Sequence, residues 1–180
     1  MIGDEVNGMT EKREGEVELA RNPADLPPDG HVVFIGRIRS TWTTREECPK
    51  NMARAREREA PASVEVAPEY RPGLAGLEGV SHIAILTWLD RSARNLIVQK
   101  PRHAPRPKGV FALRSPARPN PVGLHVARLV GIDINAGILT LDAIDVLDNT
   151  PVIDIKPYYA STDSAPEATV ARNERTEQSE

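Results

Sequence analysis

At 180 residues, 39% hydrophobic and 27% charged, the chain has room for one domain with loose ends, and 4% aromatic content means a core built from Val, Ile, Leu and Ala. No apolar run approaches the length of about 20 residues that spans a bilayer, the N-terminal MIGDEVNGMTEKREGEVELA lacks the apolar stretch of a secretory signal, and the single Cys48 excludes an internal disulfide or a cysteine-rich zinc cluster, so a cytoplasmic location is expected. The net charge of −3 hides a basic body, because residues 31–160 hold 18 bases and 13 acids between two acidic ends, a balance suited to a polyanionic partner as well as to simple solubility.

In chain order, residues 1–29 are rich in acid and show no hydrophobic period, the composition of a disordered tail. His31–Arg39 (HVVFIGRIR) reads as a strand, and Asn51–Ala60 (NMARAREREA) as a short exposed helix with charge all round. Strands follow over His82–Leu89, Asn95–Lys100, Gly109–Leu113, Gly123–Ile134 and Gly137–Leu147, with a last short one at Pro151–Lys156. Within Gly137–Leu147, Ile138, Thr140, Asp142 and Ile144 take one face and Leu139, Leu141 and Ala143 the other. The Asn135-Ala136-Gly137 turn joins that strand to its predecessor as a hairpin. Residues 164–180 are again tail-like, which leaves 30–163 as the folded domain. The expected fold is mainly β: a small closed barrel of six or seven mostly antiparallel strands with one or two short helices.

Several chemistries are absent from the pattern. The glycines of GLAGLEG (73–79) have the wrong spacing for a dinucleotide turn and no strand before them. No phosphate loop, paired-histidine metal motif or nucleophile elbow is present, and no metal is expected. His82, at a strand end, reads as a backbone-bonded histidine, and Trp42 and Trp88 as core or interface residues.

The segment from Lys100 to Pro121, KPRHAPRPKGVFALRSPARPNP, has six basic residues, six prolines and no acid. Proline fixes its own φ and restrains the residue before it, so the cations sit on a stiff backbone that loses little entropy on capturing a phosphate or carboxylate. A solvated connection between two strands is the plain alternative. Lys100, Arg102, Arg106 and Lys108 form a candidate phosphate track, and Arg118 a candidate RNA clamp. Arg114 suits a cofactor or a phosphate. Asn120 suits a base edge or an Asx turn. Tyr158, beside Pro157, suits stacking on a splayed base or packing on proline.

Four segments together carry a resemblance: GRIRS (36–40) running on to CPKN (48–51), GLEGVSH (76–82) with the strand ending WLDR (88–91), GVFALRSPARPNPVGL (109–124), and DVLDNTPVIDIKPY (145–158). From about Val33 to Ser164 the chain resembles the YaeB/TsaA-like family of TrmO-type tRNA methyltransferases. The resemblance implies a small β-barrel that binds S-adenosylmethionine without a dinucleotide-binding sheet and works as a homodimer. It also implies methyl transfer to N6 of threonylcarbamoyladenosine beside the anticodon, so that the anticodon loop of tRNA is the expected partner. Its cofactor contacts fall on Pro49, Lys50 and Asn51 (often Pro-Arg-Gln in the family), on Asp90 and Arg91 (often His-Gln), on Arg114 and Leu124, and on Asp148, Asn149, Thr150 and Pro151 (usually Asp-Gly-Thr-Pro). The departures at Lys50 and Asp90-Arg91 leave open another nucleoside or a small metabolite as acceptor, and loss of catalysis leaves an RNA-binding barrel.

Transfer from a sulfonium is an in-line displacement that destroys a positive charge, so alignment in a dry pocket supplies most of the acceleration. A urea-like nitrogen is a poor nucleophile while it keeps its proton. Asp148 and Asp154 are therefore candidate bases, with turn capping the alternative for Asp148. Lys156 suits either tuning of a nearby carboxylate or contact with phosphate.

Overall fold

The computed structural model describes residues 12–101 and 104–169. Among the described residues nine strands, two short α-helices and three 3-10 turns occur in the order β1 (Val17–Glu18), a turn at Pro23–Asp25, β2 (Gly36–Ser40), α1 (Met52–Arg56), β3 (Ala62–Val66), a turn at Pro68–Leu74, β4 (His82–Trp88), β5 (Leu96–Gln99), β6 (Lys108–Gly109), a turn at Val110–Ala112, β7 (Val122–Asp133), β8 (Ile138–Leu141), β9 (Pro151–Pro157) and α2 (Ala160–Asp163). The chain divides into two compact units. One contains residues 27–92 and 120–169, and the other is built from the N-terminal segment through Leu26 and residues 93–119.

In the larger unit six strands pair antiparallel in the ring order β2-β3-β8-β7-β4-β9, and β9 returns to β2. Alternation decides what fills it: Ile83, Ile85 and Thr87 of β4 point inward, as do Ala62, Val64 and Val66 of β3. Ile38, Leu139, Ile144 and Val152 complete an aliphatic interior, each at most 1% exposed. The aromatic-poor composition forces this dense packing of branched side chains. Two bulges break the period. β7 gains a residue between Leu129 and Gly131, and β9 pairs Leu86 with Asp154 but Thr87 with Val152. Each extra residue reverses the parity, so Val152 and Ile155, three apart, both pack on the core.

Gly137 closes the β7–β8 hairpin at φ +74°, where a Cβ would lie 2.7 Å from the Val66 carbonyl oxygen. Asn51 caps α1, its Oδ1 accepting from Arg54 N–H at 2.9 Å. Arg56 ties that helix to the ring through Asp142 (2.8 Å) and the Val126 carbonyl (3.0 Å). Burial works against ionisation of Asp142, but hydrogen bonds from Arg56 and the backbone N–H groups of Arg128 and Ala143 win and hold its carboxyl below the usual range.

In the second unit β5 lies between β1 and β6. Glu16, 6% exposed, accepts from the backbone N–H of Arg13 (3.0 Å) and of Lys100 (3.1 Å), and these bonds outweigh burial to keep its carboxyl low.

Several expectations change. The N-terminal segment does not stay tail-like up to residue 29, since β1 pairs with β5 and Glu16 is buried. The first long strand begins at Gly36, because Val32, Val33 and Phe34 are 55%, 65% and 42% exposed and have no core to enter. Gly109–Leu113 is mostly a 3-10 turn, its carbonyls drawn to the Arg118 guanidinium. β8 stops at Leu141, where Asp142 binds Arg56 and Arg128, and Ala62–Val66 is an additional strand. Residues 164–169 form neither helix nor strand, and 1–11 and 170–180 lie outside the described residues.

Candidate functional site

The Asp148–Pro151 turn, at the entrance to β9, is stapled to the outer face of β2. Inward-facing Gly36 and Ile38 leave Arg37 and Arg39 on the outside. Arg37 Nη1 donates to the Asn149 carbonyl at 2.9 Å, and Arg39 donates from Nη1 to Asn149 Oδ1 and from Nε to Glu65 at 2.6 Å. Backbone bonds run from Asn149 N–H to the Ile38 carbonyl (2.9 Å) and from Ile38 N–H to the Thr150 carbonyl (2.9 Å). Asn149 sits at φ +64°, a region that glycine enters freely and asparagine tolerates best among the rest. The Asp148 carboxylate accepts from Ser40 N–H (3.1 Å) and from the Asn149 side-chain amide (3.0 Å). Turn capping is thus its observed role. Arg91 reaches the same turn, donating from Nη2 to the Asp148 carbonyl at 3.3 Å.

Arg91 and the 148–151 turn, distant in sequence, are therefore brought together. Asp90 and Lys50 are exposed, Pro49 is buried, and Asn51 is occupied as a helix cap. Leu124, 51% exposed, lies on β7 opposite Leu86. Asp154 pairs with Lys156 at 2.7 Å on β9, the two side chains 41% and 64% exposed. Tyr158 is half-buried, its N–H on the His82 carbonyl. Asn120 is exposed, with its carbonyl accepting from Val122 N–H at 2.8 Å.

Arg114 and Arg106 are exposed in the other unit, and Arg102 lies outside the described residues. Arg118 is committed to its own loop, donating to the carbonyls of Ser115 (3.0 Å), Val110 (2.9 Å) and Leu113 (2.5 Å). A guanidinium so engaged is a staple of the loop.

Sequence reasoning passed over a buried polar chain inside the ring. His125 is 5% exposed and Thr87 fully buried; Thr87 Oγ1 lies 3.0 Å from His125 Nε2, and His125 Nδ1 lies 2.7 Å from Asp145 Oδ1. A neutral imidazole that donates from Nδ1 to the carboxylate keeps Nε2 as acceptor for the threonine hydroxyl. Gly123 makes room, since a Cβ there would meet Thr87 Oγ1 at 2.3 Å and His125 Nε2 at 2.6 Å. The findable signal was parity: Gly123, His125 and Ala127 share the inward face of β7. Burial, reinforced by the Asp145 charge, pushes the Cys48 thiol up to about 11, so at neutral pH it is no nucleophile. Among the described residues no group of acidic, histidine and cysteine side chains is placed to hold a metal, and no helix is long and apolar enough to cross a membrane.

The family model for the tRNA-methyltransferase O N-terminal domain matches residues 37–164. A probable S-adenosyl-L-methionine-binding protein of Methanothermobacter thermautotrophicus is 42% identical over 130 residues, which cover 72% of this chain and 90% of that protein. One of Archaeoglobus fulgidus with the same description is 38% identical over 136 residues, 76% of this chain but only 36% of its own length. The crystal structure of TrmO from Pseudomonas aeruginosa superposes with a TM-score of 0.59 at 34% identity, covering 84% of this chain and 64% of that one. The chain thus spans little more than a third of the Archaeoglobus relative and under two thirds of the Pseudomonas structure. The model match takes in the arginine-bearing strand β2, Arg91 and the whole 148–151 turn, and on that ground the chain belongs to the tRNA-methyltransferase O N-terminal domain family.

Proposed function

We propose that the chain is an S-adenosylmethionine-dependent methyltransferase that modifies N6 of threonylcarbamoyladenosine at position 37 of tRNA, working as a cytoplasmic homodimer built on a closed barrel. The carrying observation is the docking of Arg91 on the 148–151 turn, which unites two groups the family uses for its cofactor. The chemistry of the donor set fits that cofactor: a guanidinium suits the amino-acid carboxylate, and the turn carbonyls, which already accept from Arg91, Arg37 and Ile38 N–H, each keep a second lone pair suited to the ammonium and the sulfonium. The cofactor supplies an electrophilic methyl group. Arg91 and Asp148–Pro151 would bind it, with Pro49, Lys50, Asn51, Asp90 and Leu124 proposed as further contacts. Arg114 is proposed for a carboxylate or a phosphate.

Asp148 is engaged on both oxygens, so its part in the reading is to hold the turn. Asp154, which accepts from Ile155 N–H at 2.9 Å and pairs with Lys156, is not needed to hold that turn and is the carboxylate proposed as proton acceptor. Lys156, Asn120, Tyr158 and the loop cations Arg102 and Arg106 are proposed for tRNA, and Arg118 for shaping the loop that carries them.

Titration calorimetry of Arg91→Ala with adenosylmethionine or adenosylhomocysteine tests the site. Affinity should fall by about ten- to a hundred-fold, the span of a lost charged hydrogen bond. Unchanged affinity would remove the turn from the cofactor site.

A further inference from the structure

Phe111 is 82% exposed, more than any other large hydrophobic side chain among the described residues. A single exposed aromatic is ordinary on a protein surface, but this one stands on a turn that is held from both sides. Val110, before it, is fully buried, and Leu113 N–H closes the turn on the Val110 carbonyl at 3.1 Å. The Arg118 guanidinium spans that turn, binding the carbonyls of Val110 and Leu113. The rest of the loop is pinned in the same way: the Gln99 amide donates to the Ala117 carbonyl and Arg94 Nε to the Pro119 carbonyl at 2.7 Å. The backbone beneath Phe111 is therefore pre-ordered while the ring itself contributes little to the core. Arg106 and Arg114 are exposed on the same loop, Lys108 is half-buried, and no acid occurs from residue 100 to 121.

We propose that Phe111 is a stacking platform for an unpaired nucleobase, with the flanking cations following the phosphates of the same single strand. A flat π face set among positive charges is the pairing that single-stranded nucleic-acid sites use, and a pre-ordered turn loses little entropy on binding. A second copy of this loop is a poor occupant, because a segment with six bases and no acid would meet its own like charge. The inference rests on the nucleic-acid part of the function proposed above and adds the residue that touches a base.

The test compares the full chain with Phe111→Ala and Phe111→Trp, titrated with tRNA and with a generic single-stranded RNA oligonucleotide across a salt series. Phe111→Ala should weaken both by roughly five- to a hundred-fold, the span of one lost base–aromatic stack, and leave the salt slope as it was because no charge is removed. Phe111→Trp should bind like the parent, with its indole fluorescence quenched by either RNA. Wild-type affinity in Phe111→Ala for both RNAs would overturn the proposal. So would a halved mass of that variant in light scattering, which would make Phe111 a contact between copies. A parent chain that binds neither RNA also overturns it. Methyl transfer to tRNA is read separately: transfer with unaltered Phe111→Ala binding sinks only this inference, and lost oligonucleotide binding without tRNA methylation sinks only the tRNA assignment.

Discussion

Asn149 shows how much one backbone angle decides. At φ +64° it carries the turn that Arg37 and Arg39 grip, and the family's usual glycine at this position answers the same geometric demand. Asn149→Gly should keep the turn and lose the two exposed side-chain contacts, with Arg39 and with the Asp148 carboxylate, while relieving the backbone, so its stability should stay within about 1 kcal/mol of the parent. Asn149→Val places a β-branched residue in the left-handed region and should cost roughly 1–3 kcal/mol. Urea unfolding of the two variants measures the difference, and equal losses would show that φ is not what selects asparagine. At this scale the sequence exposed the turn but not how its groups are used. Asp148 was recognisable as a cap or a base, and only the folded turn shows both oxygens engaged. Arg118 was legible as a cation, yet a guanidinium spent on three carbonyls looks the same in sequence as one facing solvent.

At the scale of elements, the buried Thr87–His125–Asp145 chain fastens the segment after β8 to the interior of the ring. Thr87→Val should cost about 1–3 kcal/mol by leaving His125 Nε2 without its donor, and His125→Leu should cost more by stranding both Thr87 and Asp145. The double variant should lose less than the sum of the two, since each removes what the other depends on. Strict additivity in denaturant unfolding would contradict a connected chain. Strands β4, β5, β7 and β9 were readable because β-branched runs end at Gly, Pro or Asn. The short segment ASVEV of β3 was missed because alanine and serine weaken a pattern whose inward face is Ala62, Val64 and Val66. The two bulges hid the core positions of β7 and β9, because one inserted residue reverses a period of two. The fate of residues 109–113 depended on Arg118, five residues beyond the run.

For the whole molecule, a mainly β architecture was legible from many short strands and little helix. Its division was not, because the smaller unit joins an N-terminal segment to residues 93–119 across a long stretch of sequence. Glu16 illustrates the difficulty: in sequence it is one acid among many, and in the structure it is buried on the Lys100 backbone N–H. The function proposed for the molecule needs both the cofactor turn and the cationic, proline-rich loop. It is tested most directly by incubating the full chain with adenosylmethionine labelled in its methyl group and with tRNA that carries threonylcarbamoyladenosine, then analysing the digested nucleosides by mass spectrometry. The account predicts label on that nucleoside alone, and none when the chain is omitted. Intact cofactor binding with no label on any tRNA nucleoside would contradict it.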